Sequence, residues 1–300
     1  MYVITGASGN TGSVVANELL AKGQQVRVIG RNESRLRPFA DKGAEPFVAD
    51  LTDQAGLRNA FSGAKAVYAM IPPDITQQDV LTYQSRVREA IAGALEHAGV
   101  RYAVSLSSIG ADKSEGTGPV VGLRRLEQRL NGIPGLNVLH LRPGYFMENT
   151  LAQVWPIQTL GFCAGPLDPD LKIPMIATRD IGMAAADALL KLEFEGQQAR
   201  ELLGQRDLTY TDVAGIIGRA IAIPGLAYRR ISDNQFRDSL MQMGMSPNMA
   251  NLLVEMCFAL NSGYMRALEQ RSARTTTPTA YEAFVAEEFV PQYQKRPAAA

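Results

Sequence analysis

The chain has 300 residues, enough for one large domain or for a nucleotide-binding domain with a smaller appendage. Lysine and arginine together number 30, as do aspartate and glutamate, so the formal net charge is zero and a basic face for nucleic acid is not expected. The two cysteines and two histidines have no metal-ligand spacing and no apolar stretch has membrane-spanning length, which predicts a metal-free cytoplasmic protein that stays off membranes.

The first element predicted along the chain is a strand that runs directly into a glycine turn. Residues 2–5 form the strand, residues 6–12 read Gly-Ala-Ser-Gly-Asn-Thr-Gly, and an amphipathic helix follows. Glycine permits a sharp turn and a close approach of ligand to backbone, while a helix N terminus offers free N–H groups and a partial positive charge. This order predicts a dinucleotide diphosphate site. The residues expected to contact the cofactor there are Gly6, Ser8, Gly9, Asn10, Thr11 and Gly12.

Strands and helices then alternate through the first half of the chain. Further strands are predicted at residues 26–29, 45–49, 66–70, 102–106 and 137–141, with the longest intervening helix over about 78–98. Such alternation is typical of a parallel sheet covered by helices on both faces, so we predict an α/β, Rossmann-type, doubly wound fold. Ligands of such sheets lie beyond the carboxyl ends of the strands.

The alternation stops after residue 144. Residues 145–175 show no clear periodicity, residues 178–190 predict an apolar helix that returns to the sheet, and the chain is mostly helical from residue 209. We therefore expect a dinucleotide-binding domain at 1–150, to which 176–204 returns. A smaller, mostly helical substrate or cap region is expected from 151–175 and 205–290, followed by a disordered tail at 291–300.

The residues after the second strand indicate which dinucleotide binds. NAD-selective sites place an acidic residue there, but this chain has Gly30-Arg31. Because a guanidinium pairs bidentately with a phosphate, Arg31 predicts NADP(H) rather than NAD(H). Asp50, followed by Leu51, ends the third strand and is placed either to meet the adenine edge or to cap the next helix.

Several motifs resemble those of the NmrA-like family of atypical short-chain dehydrogenase/reductases. The most specific is the Arg-Pro-Gly-Tyr-Phe-Met-Glu-Asn stretch at 142–149; the others lie at 6–12, 48–51, 105–110, 177–182 and 277–279. The family includes NADPH-dependent quinone and dye reductases, isoflavone-type reductases and NADP-sensing regulators. The resemblance implies that Arg31 holds the 2′-phosphate and that Ser107 lies at the nicotinamide end. It also implies ribose contacts from Met70, Ile71 and Pro72, and carboxamide contacts from Pro143, Gly144 and Tyr145.

The usual catalytic pair of short-chain dehydrogenases is missing from its expected helix. Residues 118–127 contain neither tyrosine nor lysine, and Leu123 stands where isoflavone-type reductases carry their lysine. The catalytic residues are therefore unassigned, and hydride transfer to a quinone-like acceptor, which needs little acid help, is the leading hypothesis. The alternatives are an NADP(H) redox sensor with a protein partner and a sugar-nucleotide epimerase. An apolar slot for a small-molecule substrate is expected from Tyr145, Phe146, Met147, Trp155, Phe162 and Met243.

Overall fold

The computed structural model describes residues 1–295, which form a layered α/β structure. The strands are β1 (Tyr2–Ile4), β2 (Val26–Gly30), β3 (Glu45–Val48), β4 (Ala66–Ala69), β5 (Tyr102–Leu106), β6 (Asn137–Pro143), β7 (Tyr145–Phe146), β8 (Cys163–Gly165), β9 (Ile173–Ile176), β10 (Gln197–Leu202), β11 (Asp207–Leu208) and β12 (Tyr228–Arg230). The α-helices are α1 (Asn10–Ala21), α2 (Glu33–Ala40), α3 (Gln54–Phe61), α4 (Val80–Ala98), α5 (Val120–Asn131), α6 (Val154–Leu160), α7 (Thr178–Lys191), α8 (Tyr210–Ala220), α9 (Asp233–Gln242), α10 (Pro247–Asn261), α11 (Tyr281–Phe284) and α12 (Val290–Gln294).

The main sheet has seven parallel strands in the order β10-β6-β5-β4-β1-β2-β3. The order along the chain reverses between β1 and β4, which makes that junction the topological switch point. This arrangement confirms the predicted Rossmann-type α/β fold, with a smaller and mostly helical C-terminal part. Strand burial follows position in the sheet: every residue of the inner strand β4 is buried, whereas β3 is largely exposed and carries Pro46, an imino acid suited to an edge strand.

Helices cover both faces of the main sheet. One face packs against α3, α4 and α5, and the other packs against α1, α2 and α7. Helix α7 lies very close to α1, because a Cβ added at Gly182 would stand 2.5 Å from the Cβ of Val14 and 2.9 Å from the oxygen of Thr11. Glycine at position 182 therefore lets α7 reach the first turn of α1, where the cofactor is expected.

A third core lies between the sheet and the C-terminal helices. It is built on two small sheets, β11-β9-β7 and β12-β8, together with α8 and the buried rings of Tyr281, Phe284 and Phe289. The stretch 145–175, which showed no periodicity in sequence, contains β7, β8, β9, α6 and a 3₁₀ helix at Met147–Gln153. Elements this short leave too few residues for a period to appear. The division at residue 150 stays a prediction.

The expected disordered tail differs from the structure at its beginning. Residues 291–294 belong to α12, where the Tyr293 ring stacks on Phe289 and its backbone oxygen accepts a hydrogen bond from Gln158 at 2.8 Å. Residues 296–300, the rest of that expectation, lie outside the described residues. Among the helices of residues 1–295, none combines the length and the apolar character that a membrane crossing requires.

Candidate functional site

A cavity of about 790 Å³ runs along the carboxyl ends of the central strands, across the switch point. Its size is within the range typical of ligand sites, roughly 300–1,000 Å³. Twelve of the residues expected to contact the cofactor line its walls: Gly6, Ser8, Gly9, Asn10, Thr11, Arg31, Asp50, Leu51, Met70, Ile71, Pro72 and Ser107. The tertiary structure thus brings together five segments that are far apart in the sequence.

The turn between β1 and α1 forms one end of this cleft. Gly6 has a φ of +62°, a conformation that side-chain-bearing residues rarely adopt. Gly12 does not line the cavity; a Cβ there would stand 2.3 Å from the Gly6 oxygen, so its role is to let the helix meet the turn. Gly9 is the N-cap residue of α1. No side chain caps this end of the helix, and its first turn contains no acidic residue. Its first N–H groups are therefore available to an anion.

Arg31 and Arg35 line the other end of the cleft, beyond β2. Among residues 1–295 neither guanidinium forms an ion pair. Helix α2 begins here with Asn32, whose side chain accepts a hydrogen bond from the Ser34 amide. Two arginines that form no ion pair among residues 1–295 make a site for a phosphate group at this end of the cavity.

Two carboxylates border the same end of the cleft. Burial acts to raise the pKa of Asp50, but hydrogen bonds from Thr52 and the charge of Arg31 outweigh it, so the pKa is lowered. Hydrogen bonds from Gln77 and Thr76 lower the pKa of Asp74. The helix-capping alternative for Asp50 does not hold, because the carboxylate of Asp53 caps α3 by accepting from the Gly56 amide. Asp50 instead forms a local turn with Thr52 on the cavity wall.

A buried hydrogen-bonded network supports the middle of the cleft, where β5 ends. The Ser107 hydroxyl donates to Oε1 of Glu127 at 2.5 Å, and Arg142 donates to both Glu127 oxygens at 2.9 and 2.5 Å. Glu127 is only 5% exposed, so this is a buried bidentate ion pair. Sequence reasoning missed Glu127, although its place on the apolar face of α5 between Leu123 and Leu130 was a signal that it is buried and paired.

The wall formed by α5 carries no acid or base. Leu123 lines the cleft at the position where isoflavone-type reductases are expected to carry a lysine. The neighbouring Arg124 donates to the backbone oxygens of Ala111 and Asp112 at 3.1 and 2.7 Å, which turns it away from the cavity. A tyrosine–lysine mechanism therefore has no residues to perform it on this helix.

Glu148 is a carboxyl group on the cleft wall that sequence reasoning did not single out. Its Oε1 accepts from the amide and hydroxyl of Thr178 at 2.9 and 2.5 Å, so it caps the N terminus of α7. Its Oε2 is buried and has no partner among residues 1–295. Burial raises the pKa of Glu148 despite these hydrogen bonds, and the charge of Glu288 adds to the rise.

A side chamber of about 190 Å³ opens beside the cleft and shares Ser108, Phe146 and Asn149 with its walls. Gly144 and Tyr145 line this chamber rather than the main cleft. Pro143 is buried in β6 and lines neither cavity. The oxygen of Tyr145 lies 3.0 Å from that of Tyr210. Tyr145 and Phe146 are thus the two expected pocket residues that the structure places on a cavity wall.

The other four expected pocket residues lie elsewhere. Met147 is only 1% exposed and lies in the third core. The ring of Phe162 lies under the guanidinium of Arg229, whose Cζ is 4.2 Å from the ring centroid. Trp155 and Met243 are on the surface, with 66% and 65% of each residue exposed. The cap contributes different apolar side chains to the main cleft, Met249 and Leu253 of α10. The orientation of each short element decides which of its residues face the cavity. A sequence without a visible period does not reveal that orientation.

The chain matches known proteins over nearly its whole length. The uncharacterized oxidoreductase YesF of Bacillus subtilis is 26% identical over 276 residues, which cover 91% of this chain and 89% of that protein. An NADPH-dependent quinone oxidoreductase of Escherichia coli, solved with NADPH, superposes with a TM-score of 0.77 at 24% identity, covering 89% of this chain and 91% of its own. The triphenylmethane reductase of a Citrobacter species, solved with NADP(H), has a TM-score of 0.77 at 19% identity, and the match covers 95% of this chain and 99% of that chain.

The two solved structures share their fold with this chain. A model of the NmrA-like family matches residues 2–289, which include the glycine turn, the arginines of the cleft and the side chamber. This match confirms the resemblance drawn from the sequence motifs. The chain therefore belongs to the NmrA-like family of proteins.

Proposed function

We propose that this protein binds NADP(H) in the main cleft and transfers hydride from NADPH to a quinone-like or similarly electron-poor acceptor. The observation that carries the proposal is the pairing of two anion sites in one cavity. The uncapped N terminus of α1 suits a diphosphate, and the guanidinium groups of Arg31 and Arg35, which form no ion pair within residues 1–295, suit a 2′-phosphate. The family and the reductases of the same fold support it.

The residues present fit an NADP(H) molecule along the whole cleft. Gly6 and Gly9 let the turn approach the diphosphate, and Asp50 is available to the adenosine. Met70, Ile71 and Pro72 provide an apolar wall at the switch point, beside Ser107. Bound NADPH would supply the hydride.

The protein's own contribution is orientation and exclusion of water. The Ser107 proton is engaged by Glu127, so Ser107 offers its lone pairs to a ligand donor rather than a proton to a substrate. Leu123, Met249 and Leu253 keep the nearby wall apolar. Such a site suits an acceptor that needs a hydride and takes its proton readily from other sources.

A second candidate, an NADP(H) sensor without turnover, is favoured by one observation. The α5 wall carries Leu123 where an acid–base pair would stand, and a sensor needs no such pair. In that case the two redox forms of the cofactor would change the contacts with a protein partner.

Two measurements separate these functions. NADPH and NADP⁺ are titrated against the purified protein by isothermal titration calorimetry, and NADPH oxidation is then followed at 340 nm with 1,4-benzoquinone. Tight binding with turnover supports the reductase. Tight binding without turnover across a panel of quinones, joined to unequal affinity for the two cofactor forms, supports the sensor. Absence of NADPH binding contradicts both.

A further inference from the structure

The side chamber lies where a hydride acceptor would enter. It opens at Ser108, Phe146 and Asn149, which also line the main cleft next to Ser107 at the nicotinamide end proposed above. The remaining walls are mostly hydrocarbon and thioether: Ile109, Met256, Leu260 and Met265, with Tyr145 and the backbone of Gly144. A flat apolar ring is the kind of ligand that such walls accommodate.

The volume of the chamber limits the size of that ring. A cavity of about 150 Å³ with apolar walls holds one benzene molecule. At about 190 Å³ this chamber exceeds that volume by little more than the room for small substituents. Two fused six-membered rings would therefore have to displace wall side chains or extend through the opening into the part of the cleft proposed for the nicotinamide.

The chamber also has one group that can recognise an oxygen atom on the ring. Tyr210 is 4% exposed, and its hydroxyl has Tyr145 as its one hydrogen-bond partner among residues 1–295. If Tyr145 donated in this pair, the Tyr210 proton would be buried without an acceptor, which is costly. The favourable arrangement has Tyr210 donating to Tyr145. The Tyr145 proton is then left for a ligand or for the side chain of Asn149, since Tyr145 is partly exposed on the chamber wall that it shares with Asn149.

The Tyr145 proton is available across the neutral pH range. Burial raises the pKa of Tyr145 to about 12, while the Tyr210 and Asn149 side chains act in the opposite direction. The phenol therefore stays protonated and can donate a hydrogen bond.

We propose that the side chamber is the acceptor site, that it admits a single six-membered ring, and that the Tyr145 hydroxyl donates a hydrogen bond to a carbonyl oxygen of that ring. The proposal rests on the hydride transfer inferred above. Its substrate class is monocyclic quinones rather than fused-ring quinones. The overall reaction balances as one quinone, one NADPH and one proton giving one hydroquinone and one NADP⁺, with the proton supplied from water.

Ring-size selectivity is the first test. Values of kcat/KM are compared for 1,4-benzoquinone and 1,4-naphthoquinone in the wild-type protein, in Met256→Ala and in Met243→Ala. The wild-type kcat/KM is expected to be at least about tenfold higher for the single ring, which corresponds to about 1.4 kcal/mol. Met256→Ala, which widens the chamber, should shrink that preference. Met243→Ala removes an exposed methionine and should leave it unchanged.

Binding of the product tests the chamber without turnover. Ligand-observed NMR under anaerobic conditions compares hydroquinone with naphthalene-1,4-diol. We expect hydroquinone to bind at least tenfold more tightly than the two-ring diol. Tyr145→Phe should weaken hydroquinone binding several-fold, with a wild-type circular dichroism spectrum as evidence that the variant is folded.

The outcomes separate this inference from the proposed function. Selective hydroquinone binding without quinone turnover contradicts the reductase function and supports the chamber. Turnover with equal preference for one and two rings, or equal binding of the two diols, overturns the size limit. Hydroquinone affinity that Tyr145→Phe leaves intact overturns the hydroxyl contact.

Discussion

Replacing Arg31 by alanine should weaken NADPH binding selectively, with little effect on NADH. Arg31 lines the cleft and forms no ion pair among residues 1–295, so the substitution breaks no ion pair. A hydrogen bond to a charged group contributes about 1.5–3 kcal/mol, and the lower part of that range, about 1.5–2 kcal/mol, applies because Arg31 is exposed to water. At about 1.36 kcal/mol per factor of ten, the expected loss is roughly 13- to 30-fold in NADPH affinity.

Two neighbouring carboxylates make the selectivity sharper. Without Arg31, Asp50 and Asp74 face the 2′-phosphate with one opposing charge fewer, whereas NADH has no phosphate for them to repel. Fluorescence titrations of both cofactors measure the effect. Arg37→Ala is the matched control, because Arg37 is exposed on α2, the helix that follows Arg31, but does not line the cleft. Equal losses for NADH and NADPH, or wild-type protein that binds the two equally, would refute the assignment of this end to the phosphate.

Three other substitutions test the supporting structure. Gly12→Ala places a methyl group against the Gly6 oxygen and should cost about 1–3 kcal/mol of stability, with NADPH affinity reduced in titrations. Glu127→Gln leaves its arginine partner uncompensated, so chemical denaturation should show a loss of roughly 3 kcal/mol; a loss below about 1 kcal/mol would contradict a buried ion pair. Burial lowers the pKa of His140 from 6.5 to about 4, so the unfolded chain binds the proton first and stability should fall by up to about 3 kcal/mol as pH decreases from 6.5 to 4. His140→Gln should remove that slope, and His97→Gln, at an exposed position, should retain it.

The residues of the proposed phosphate-binding turn could be located from the sequence because they are contiguous. Gly6 to Gly12 combine a strand, a glycine turn and a helix start within a few residues, and backbone geometry alone then determines what they can bind. Arg31 directly follows β2, which pairs in parallel with β1. The parallel topology alone therefore predicts that Arg31 lies at the same edge of the sheet as the glycine turn.

The acceptor end was much less predictable. Trp155 and Met243 are aromatic or flexible apolar residues in the right part of the chain, yet they face solvent, whereas Met256 and Met265 line the chamber. Composition indicates that a region is apolar, but the packing of short strands, a 3₁₀ turn and α10 decides which side chains point inward.

By itself, the sequence determined the α/β class and the absence of a tyrosine–lysine pair on α5, and it predicted a cofactor site at the glycine turn and Arg31. These features depend on residues close together in the chain. The tertiary structure alone decided that Glu127 pairs with Arg142 and accepts a hydrogen bond from Ser107, and that Tyr145 meets Tyr210 on the wall of the side chamber. These contacts join residues 15 to 65 positions apart, and their geometry is set by how the elements pack rather than by any local pattern.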